Sequence, residues 1–219
     1  RQLWRDGIVG CWGENYRHQL GTERVKAFAE PLALAKPTEV KMISAGDAHT
    51  CAVTRQGRVW CWGDDRGHQS GGSGDTVSTP QEIPDLPHIG SVASGSSHTC
   101  ALAVDGRVFC WGNNLYGQLG TDDGPGRPLP HVVPGISDAT ALAAGYGHTC
   151  VAIANGGVIC WGDNQHGQLG RAHASGAIPL PIETTLPTIR GLTAREHETC
   201  AVHGEGLTCW GGDAERPAA

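Results

Sequence analysis

The tripeptide Cys-Trp-Gly occurs five times in the chain, beginning at Cys11, Cys61, Cys110, Cys160 and Cys209. Successive copies are 50, 49, 50 and 49 residues apart. Four of them have a second cysteine nine or ten residues upstream, at Cys51, Cys100, Cys150 and Cys200. So regular a spacing requires one supersecondary unit to be used again and again, and a period near fifty residues points to propeller blades or other stacked repeats. Most of the sequence is therefore scaffold, and function is to be sought where the copies differ.

Aligning the chain on its own period defines the unit. Apolar stretches lead into Ser44-Ala45-Gly46, Ala93-Ser94-Gly95 and Ala143-Ala144-Gly145, followed by His49-Thr50-Cys51, His98-Thr99-Cys100 and His148-Thr149-Cys150. A turn and the Cys-Trp-Gly strand come next. A polar segment then ends in Gln19-Leu20-Gly21, Gln118-Leu119-Gly120 or Gln168-Leu169-Gly170, with Gln69-Ser70-Gly71 as the weak copy. This reads as four antiparallel strands per unit, the second and third forming a tight hairpin. Glycine (33) and proline (13) are abundant, which suits many short strands and fits long helices poorly. The expected organisation is one array over residues 1–219, with units near 1–35 (partial), 36–85, 86–134, 135–187 and 188–219 (partial).

The cysteine spacing tests the hairpin. If Cys51 faces Cys61, the loop is Arg55-Gln56-Gly57; the same construction gives Val104-Asp105-Gly106 and Ala154-Asn155-Gly156. Glycine stands third each time, where a three-residue loop needs its left-handed residue. Cys200 and Cys209 are one residue closer, implying a two-residue loop, Gly204-Glu205, with glycine first as in a type II′ turn. Facing cysteines have Cα atoms about 4.5–5.5 Å apart, within disulfide reach. Spacing therefore favours the bridges Cys51–Cys61, Cys100–Cys110, Cys150–Cys160 and Cys200–Cys209, each adding about 2–3 kcal/mol in the chain-entropy model. A metal centre is the poorer reading, because each unit supplies only two sulfurs and no Cys-x-x-Cys pair occurs. Reduced cysteines packed as small apolar residues are the third.

Alternation places Cys51, Val53, Val59 and Cys61 on one face and Ala52, Trp60 and Trp62 on the other. Both faces are apolar, as in a sheet stacked between neighbours, so Trp12, Trp62, Trp111, Trp161 and Trp210 are expected in inter-blade packing.

These segments resemble the regulator of chromosome condensation repeat, carried by Ile43 to Thr50, Val92 to Thr99 and Leu142 to Thr149 together with the Trp-Gly and Gln-Leu-Gly elements. The resemblance implies an all-β chain of four-stranded propeller blades, in a family whose complete members have seven. Cysteines stand where the usual repeat has aliphatic or small residues, which implies a disulfide-reinforced branch of bacterial secreted type. Five hairpins are recognisable. The inner strand of the first unit and the outer strand of the last are not evident, so an open array or a segment of a larger ring is expected. Arg1 falls where a partner for Cys11 belongs. The absence of an initiator Met or signal peptide reads as a processed, trimmed or partial chain.

Functional expectations follow from what varies. The segments after Trp-Gly read Glu14-Asn15-Tyr16-Arg17-His18, Asp64-Asp65-Arg66-Gly67-His68, Asn113-Asn114-Leu115-Tyr116-Gly117 and Asp163-Asn164-Gln165-His166-Gly167. Their second position is always Asn or Asp, a turn side chain that bonds its own backbone. In a propeller these loops line one rim beside the turns holding Asp47, Ser96 and Tyr146. The expected protein-binding set is Tyr16, Arg17, Arg66, Leu115, Tyr116, Tyr146, Gln165 and His166, since aromatics and Arg are enriched in interface hot spots. The recurring His49, His98 and His148 read as hydrogen-bonding residues within each blade rather than metal ligands; the last unit has Glu198 there and Arg195 in place of the glycine. Arg195, Glu196, His197 and Glu198 thus form a charged departure.

No nucleophile–base arrangement and no phosphate-cradling loop is present, so no catalytic residue, metal or cofactor is expected. A net charge of −6 gives no footprint for nucleic acid. No apolar run approaches the about 18–20 residues of a membrane span. The expected function is a non-enzymatic scaffold that binds a protein on its rim in an oxidising compartment, extracellular, cell-surface or periplasmic. The resemblance includes a secreted inhibitor of β-lactamases, one concrete version of that role. It also offers a guanine nucleotide exchange factor for a small GTPase, which predicts reduced thiols. A structural or adhesion module of a surface assembly, joined to further blades or subunits, is the third class.

Overall fold

In the computed structural model, residues 2–171, 176–181, 186 and 188–212 are described. They form five antiparallel sheets in chain order, and no helix occurs among them. The first sheet contains β1 (Gln2–Leu3), β2 (Val9–Gly13) and β3 (Phe28–Ala33). The second contains β4 (Val40–Ala45), β5 (His49–Thr54), β6 (Val59–Asp64) and β7 (Thr76–Glu82). The third repeats it with β8 (Ile89–Ser94), β9 (His98–Ala103), β10 (Val108–Asn113) and β11 (Gly126–Val132). The fourth has β12 (Ala139–Ala144), β13 (His148–Ile153), β14 (Val158–Gly162) and β15 (Gly176–Pro181), and the fifth β16 (Ile189–Arg195), β17 (Glu198–His203) and β18 (Gly206–Gly211). Each sheet is a simple meander, with neighbouring strands adjacent in sequence. These are propeller blades. The first sheet lacks the inner strand of the unit and the last its outer strand among the described residues, and no sheet closes on itself. Arg1, the position opposite Cys11, lies outside the described residues.

The hairpin register is the expected one: Cys51 faces Cys61, Cys100 faces Cys110, Cys150 faces Cys160 and Cys200 faces Cys209. All four pairs are disulfides with Cα–Cα distances of 4.0 to 4.2 Å. Gly57, Gly106 and Gly156 have φ of 77°, 85° and 90°, as their three-residue loops demand. The last hairpin departs from expectation. Its loop is Gly204-Glu205, but the left-handed turn of the chain falls on Gly206 (φ 140°), and Gly204 is not left-handed. His203 replaces the type II′ geometry: its Nδ1 accepts from the Glu205 amide at 3.3 Å and its Nε2 pairs with the Thr208 hydroxyl at 2.8 Å.

The core lies between blades. Val9, Cys11, Ala52 and Trp62 join the first two; Cys51, Val53, Val92, Ala101 and Trp111 join the second and third. Cys100, Cys110, Val151 and Trp161 join the third and fourth. Trp62, Trp111 and Trp161 are fully buried, as alternation implies. Trp12 is not: it is 38% exposed, and Trp210 is half-buried. Each fully buried tryptophan packs on the Gln-Leu-Gly loop, or its Gln69-Ser70-Gly71 copy, of the blade before it.

Candidate functional site

In the second, third and fourth blades one end is built by the Gln-Leu-Gly loop, or its Gln69-Ser70-Gly71 copy, together with the turn between the unit's first two strands; the first blade contributes its loop and the fifth its turn. The loop is latched by two side chains. The Asn of its second position donates to carbonyls across the loop, Asn15 to Thr22 and Arg24, Asn114 to Thr121 and Gly124, and Asn164 to Arg171. Its Oδ1 accepts the amide of the buried leucine, Leu20, Leu119 or Leu169, at 2.8–2.9 Å. The glutamine Oε1 accepts the amide two residues earlier, from Arg17, Gly67, Tyr116 and His166 in turn. The main chain that carries the variable side chains is therefore held by these two residues.

The glutamine main chain locks one blade to the next. Its carbonyl accepts the indole N–H of the following tryptophan, Trp62 on Gln19 at 3.1 Å, Trp111 on Gln69 at 3.0 Å, Trp161 on Gln118 at 2.9 Å and Trp210 on Gln168 at 3.0 Å. The threonine hydroxyl of the following blade donates to the same carbonyl. That threonine also meets the histidine of the previous blade: His49 Nε2 lies 2.9 Å from Thr99 Oγ1, His98 3.0 Å from Thr149 and His148 2.7 Å from Thr199. The histidines thus act between blades, not within them as the repeat alone suggested. Burial pushes His98 down to about 3, with His148 and His49 adding to the effect, and pushes His148 down to about 4. Both are neutral at physiological pH.

The strand-connecting turns stand on the same end. Asp64 donates its amide to the Ala48 carbonyl, Asn113 to Ser97 and Asp163 to Gly147, which ties each loop to its own blade's turn. Turns are linked across blades as well: Ser96 Oγ donates to Asp47 Oδ2 at 2.7 Å, the Ser96 amide to Tyr146 and the Tyr146 amide to Glu196. They surround a polar cleft of about 240 Å³ lined by Asp47, Ser96, Tyr146, Arg195 and Glu196.

All eight expected contact residues lie exposed on this rim. Leu115 is 70% exposed, the Tyr116 ring lies on the backbone of Gly147, and Tyr146 stands next to Gly147. Tyr146 is 5.5 Å from the His197 ring, which stacks on His166 at 4.3 Å. One aromatic and imidazole row therefore runs over three blades. His197 was read only as part of a charged departure; its place in the row depends on contacts with blade four, which no single repeat displays. Arg66 is tied to its own loop by Asp64, Nε to Oδ1 at 2.8 Å. Tyr16 and Arg17 stand on the first blade at the other end of the rim, and Gln165 donates its amide to Asp163. The charged departure also contains Glu198 close to Cys200 and Cys209, but both sulfurs are bonded to each other, leaving one carboxylate as a ligand.

Meandering four-stranded blades locked by recurring His, Thr, Trp and Gln-Leu-Gly elements define a repeat propeller with a loop-built rim. The chain belongs to the Regulator of chromosome condensation (RCC1) repeat family, whose repeats match residues 6–53, 56–102 and 105–152, with a second form of the repeat matching 40–69, 91–118 and 139–168. Among curated proteins no sequence matches it. Among solved structures it is similar to human WBSCR16, at 21% identity and a TM-score of 0.84 over 96% of this chain and 58% of that one. Prp20p from Saccharomyces cerevisiae, described with its binding properties to Gsp1p and histones, shares 21% identity and a TM-score of 0.79 over 95% and 55%. The ectodomain of the Physcomitrella patens receptor kinase CR4 shares 19% and a TM-score of 0.59 over 96% and 49%. The chain spans a little over half the length of the first two. At these identities the likeness is one of fold.

Proposed function

We propose that the chain is a non-enzymatic scaffold that binds a protein partner through the loop-built rim, in an oxidising compartment. The observation that carries this reading is the exposed row Leu115, Tyr116, Tyr146, His197 and His166, held by latched loops on a framework of interlocked blades. Rigid aromatic side chains lose little entropy on binding and dominate interface energetics. Arg17 and Arg66 extend the row with charge. The four bridges support the compartment, because short-loop disulfides are not maintained in a reducing cytosol.

Photo-crosslinkers at positions 115, 116 and 146 test the rim, with positions 105 and 155 at the opposite end of the blades as controls. Protein adducts are expected from the rim positions alone and are expected to be lost in Arg17→Glu, Arg66→Glu and Tyr116→Ala. Equal labelling from both ends sinks the proposal. The exchange-factor reading requires reduced thiols, so intact mass after alkylation without reduction separates the two: one or no alkylated cysteine fits the extracytoplasmic scaffold, nine the exchange factor.

A further inference from the structure

At the end of the blades away from the rim, the first and second blades enclose a cleft of about 480 Å³. That size lies within the about 300–1,000 Å³ usual for small-molecule sites. Its floor is Trp60, one side of which packs on the core between these blades. A half-buried tryptophan at a core margin ordinarily does nothing more than seal it. The third blade shows what sealing looks like. Phe109 occupies the same register there, and the Arg107 guanidinium lies 5.4 Å from its ring centroid, held by Asp105 of the hairpin loop.

In the second blade the cover is drawn aside. The residue corresponding to Asp105 is Gln56, which cannot ion-pair, and the residue facing Trp60 across the outer strand is Glu82, where Phe109 faces Val132. Arg58, the counterpart of Arg107, donates to both Glu82 oxygens, at 3.0 and 3.2 Å. The partly exposed Trp60 indole therefore lines the cleft beside the Arg58–Glu82 pair. Trp62, Trp111, Trp161 and Trp210 spend their N–H on glutamine carbonyls. The Trp60 N–H has no acceptor among the described residues. Gln56 donates to Glu39, and its carbonyl oxygen and the exposed Thr38 hydroxyl complete the wall. Among the lining side chains Arg58 is paired with Glu82, which leaves Lys36 as the one further charge.

We propose that this cleft binds a neutral saccharide, one pyranose ring lying on Trp60 with its hydroxyls met by Arg58, Glu82 and Thr38. A pyranose has an apolar C–H face for the indole and hydroxyls that both donate and accept, which a paired guanidinium and carboxylate require. An aromatic ligand would cover the indole but desolvate that pair without replacing its hydrogen bonds. A cationic ligand finds no surplus carboxylate, and an anionic one finds only the single Lys36 ammonium, because Arg58 is already paired. The site is separate from the rim and does not depend on the rim binding a protein.

The test is titration of the native disulfide-bonded protein, followed by the indole N–H signals of its seven tryptophans. The probes are the methyl β-glycosides of glucose, galactose, mannose and N-acetylglucosamine, with cellotriose and chitotriose. A saturable shift of the Trp60 signal in the millimolar range is expected from at least one. A tighter trisaccharide assigns the site to a glycan chain, and equal affinity to a single terminal unit. The double change Gln56→Asp and Glu82→Val supplies both third-blade residues and allows Arg58 to cover the ring, so affinity is expected to fall by at least about tenfold, while the other indole signals report an intact fold. A Trp60 signal unmoved by all six probes, or a shift undiminished in the Gln56→Asp/Glu82→Val variant, overturns the proposal.

Discussion

The imidazole Nε2 of His98 lies 3.0 Å from the hydroxyl of Thr149, and that hydroxyl donates its single hydrogen to the Gln118 carbonyl at 2.9 Å. The imidazole must therefore be the donor, which fixes the Nε2–H tautomer. Nδ1 is left as a buried lone pair that makes no hydrogen bond in His98 or His148. Three residues from two blades share each junction in this way, so the protonation state of one histidine is part of the contact between them.

Acid is expected to loosen these junctions. The folded values of His98 and His148, about 3 and about 4, lie below the ordinary 6.5, so the unfolded chain takes up protons that the folded one refuses. Their contribution is complete above pH 6.5 and is lost as pH falls through the window down to about 3–4. Each costs about 2 kcal/mol by pH 5, at about 1.4 kcal/mol per pH unit. Urea unfolding of wild type and His98→Gln at pH 7 and pH 5 checks this. The variant is expected to be less stable at pH 7 yet to lose about 2 kcal/mol less between the two; identical losses refute the assignment.

Glycine before each of these histidines is a steric requirement. A Cβ on residue 95 would lie 2.2 Å from His98 Cε1 and 2.6 Å from the Gly145 oxygen. The last blade carries the corollary, since Arg195 takes the glycine position where Glu198 replaces the histidine. Gly95→Ala is expected to cost about 1–3 kcal/mol by overpacking. In a His98→Ser background part of that cost should vanish, giving a coupling above about 0.5 kcal/mol in a double-mutant cycle. Strict additivity in chemical denaturation is the result that sinks the account.

The tryptophans separate by burial and by the bond to the preceding loop. Trp111 is fully buried and bonded to Gln69 of the preceding blade, whereas Trp12 is exposed. Trp111→Ala is expected to lose about 3–5 kcal/mol and Trp12→Ala less than about 1 kcal/mol, as read from denaturation midpoints. Equal losses refute the reading that burial and the bond to the preceding loop set these costs.

The blade could be read from the sequence because its information is local. Cysteine spacing and the position of Gly57, Gly106 and Gly156 agree within ten residues of chain, so register, bridges and loops follow together. The junctions could not be read so directly. His98 and Gln118 lie twenty residues apart in one repeat and Thr149 in the next, and their shared geometry exists only after stacking. The same limit applies to the rim: exposure of Leu115 and Tyr146 follows from loop position, but the stacking of His166 on His197 depends on two blades meeting. Gly204 illustrates a local failure, where a histidine side chain stabilises a turn that glycine chemistry alone assigns to another type.

The second Gln-Leu-Gly loop carries an error that the other copies correct. Asp65 stands where Asn15, Asn114 and Asn164 donate to loop carbonyls, and a carboxylate has no hydrogen to give. One of its oxygens accepts the Ser70 amide at 2.8 Å, as in the other copies. Burial pushes its carboxyl above the ordinary range, opposed by backbone amides and by His68. A raised folded value means stability gained on protonation and lost again as pH rises through that value, so at neutral pH the ionised side chain is a cost. Asp65→Asn supplies the missing donor and removes the charge, with an expected gain of about 1 kcal/mol at pH 7. The gain should shrink as pH is lowered through the titration of Asp65, because the protonated acid can itself donate. Thermal unfolding of both proteins at neutral and acid pH measures this difference, and a variant less stable than wild type at pH 7 would show that the carboxylate is better satisfied in this loop than the amide.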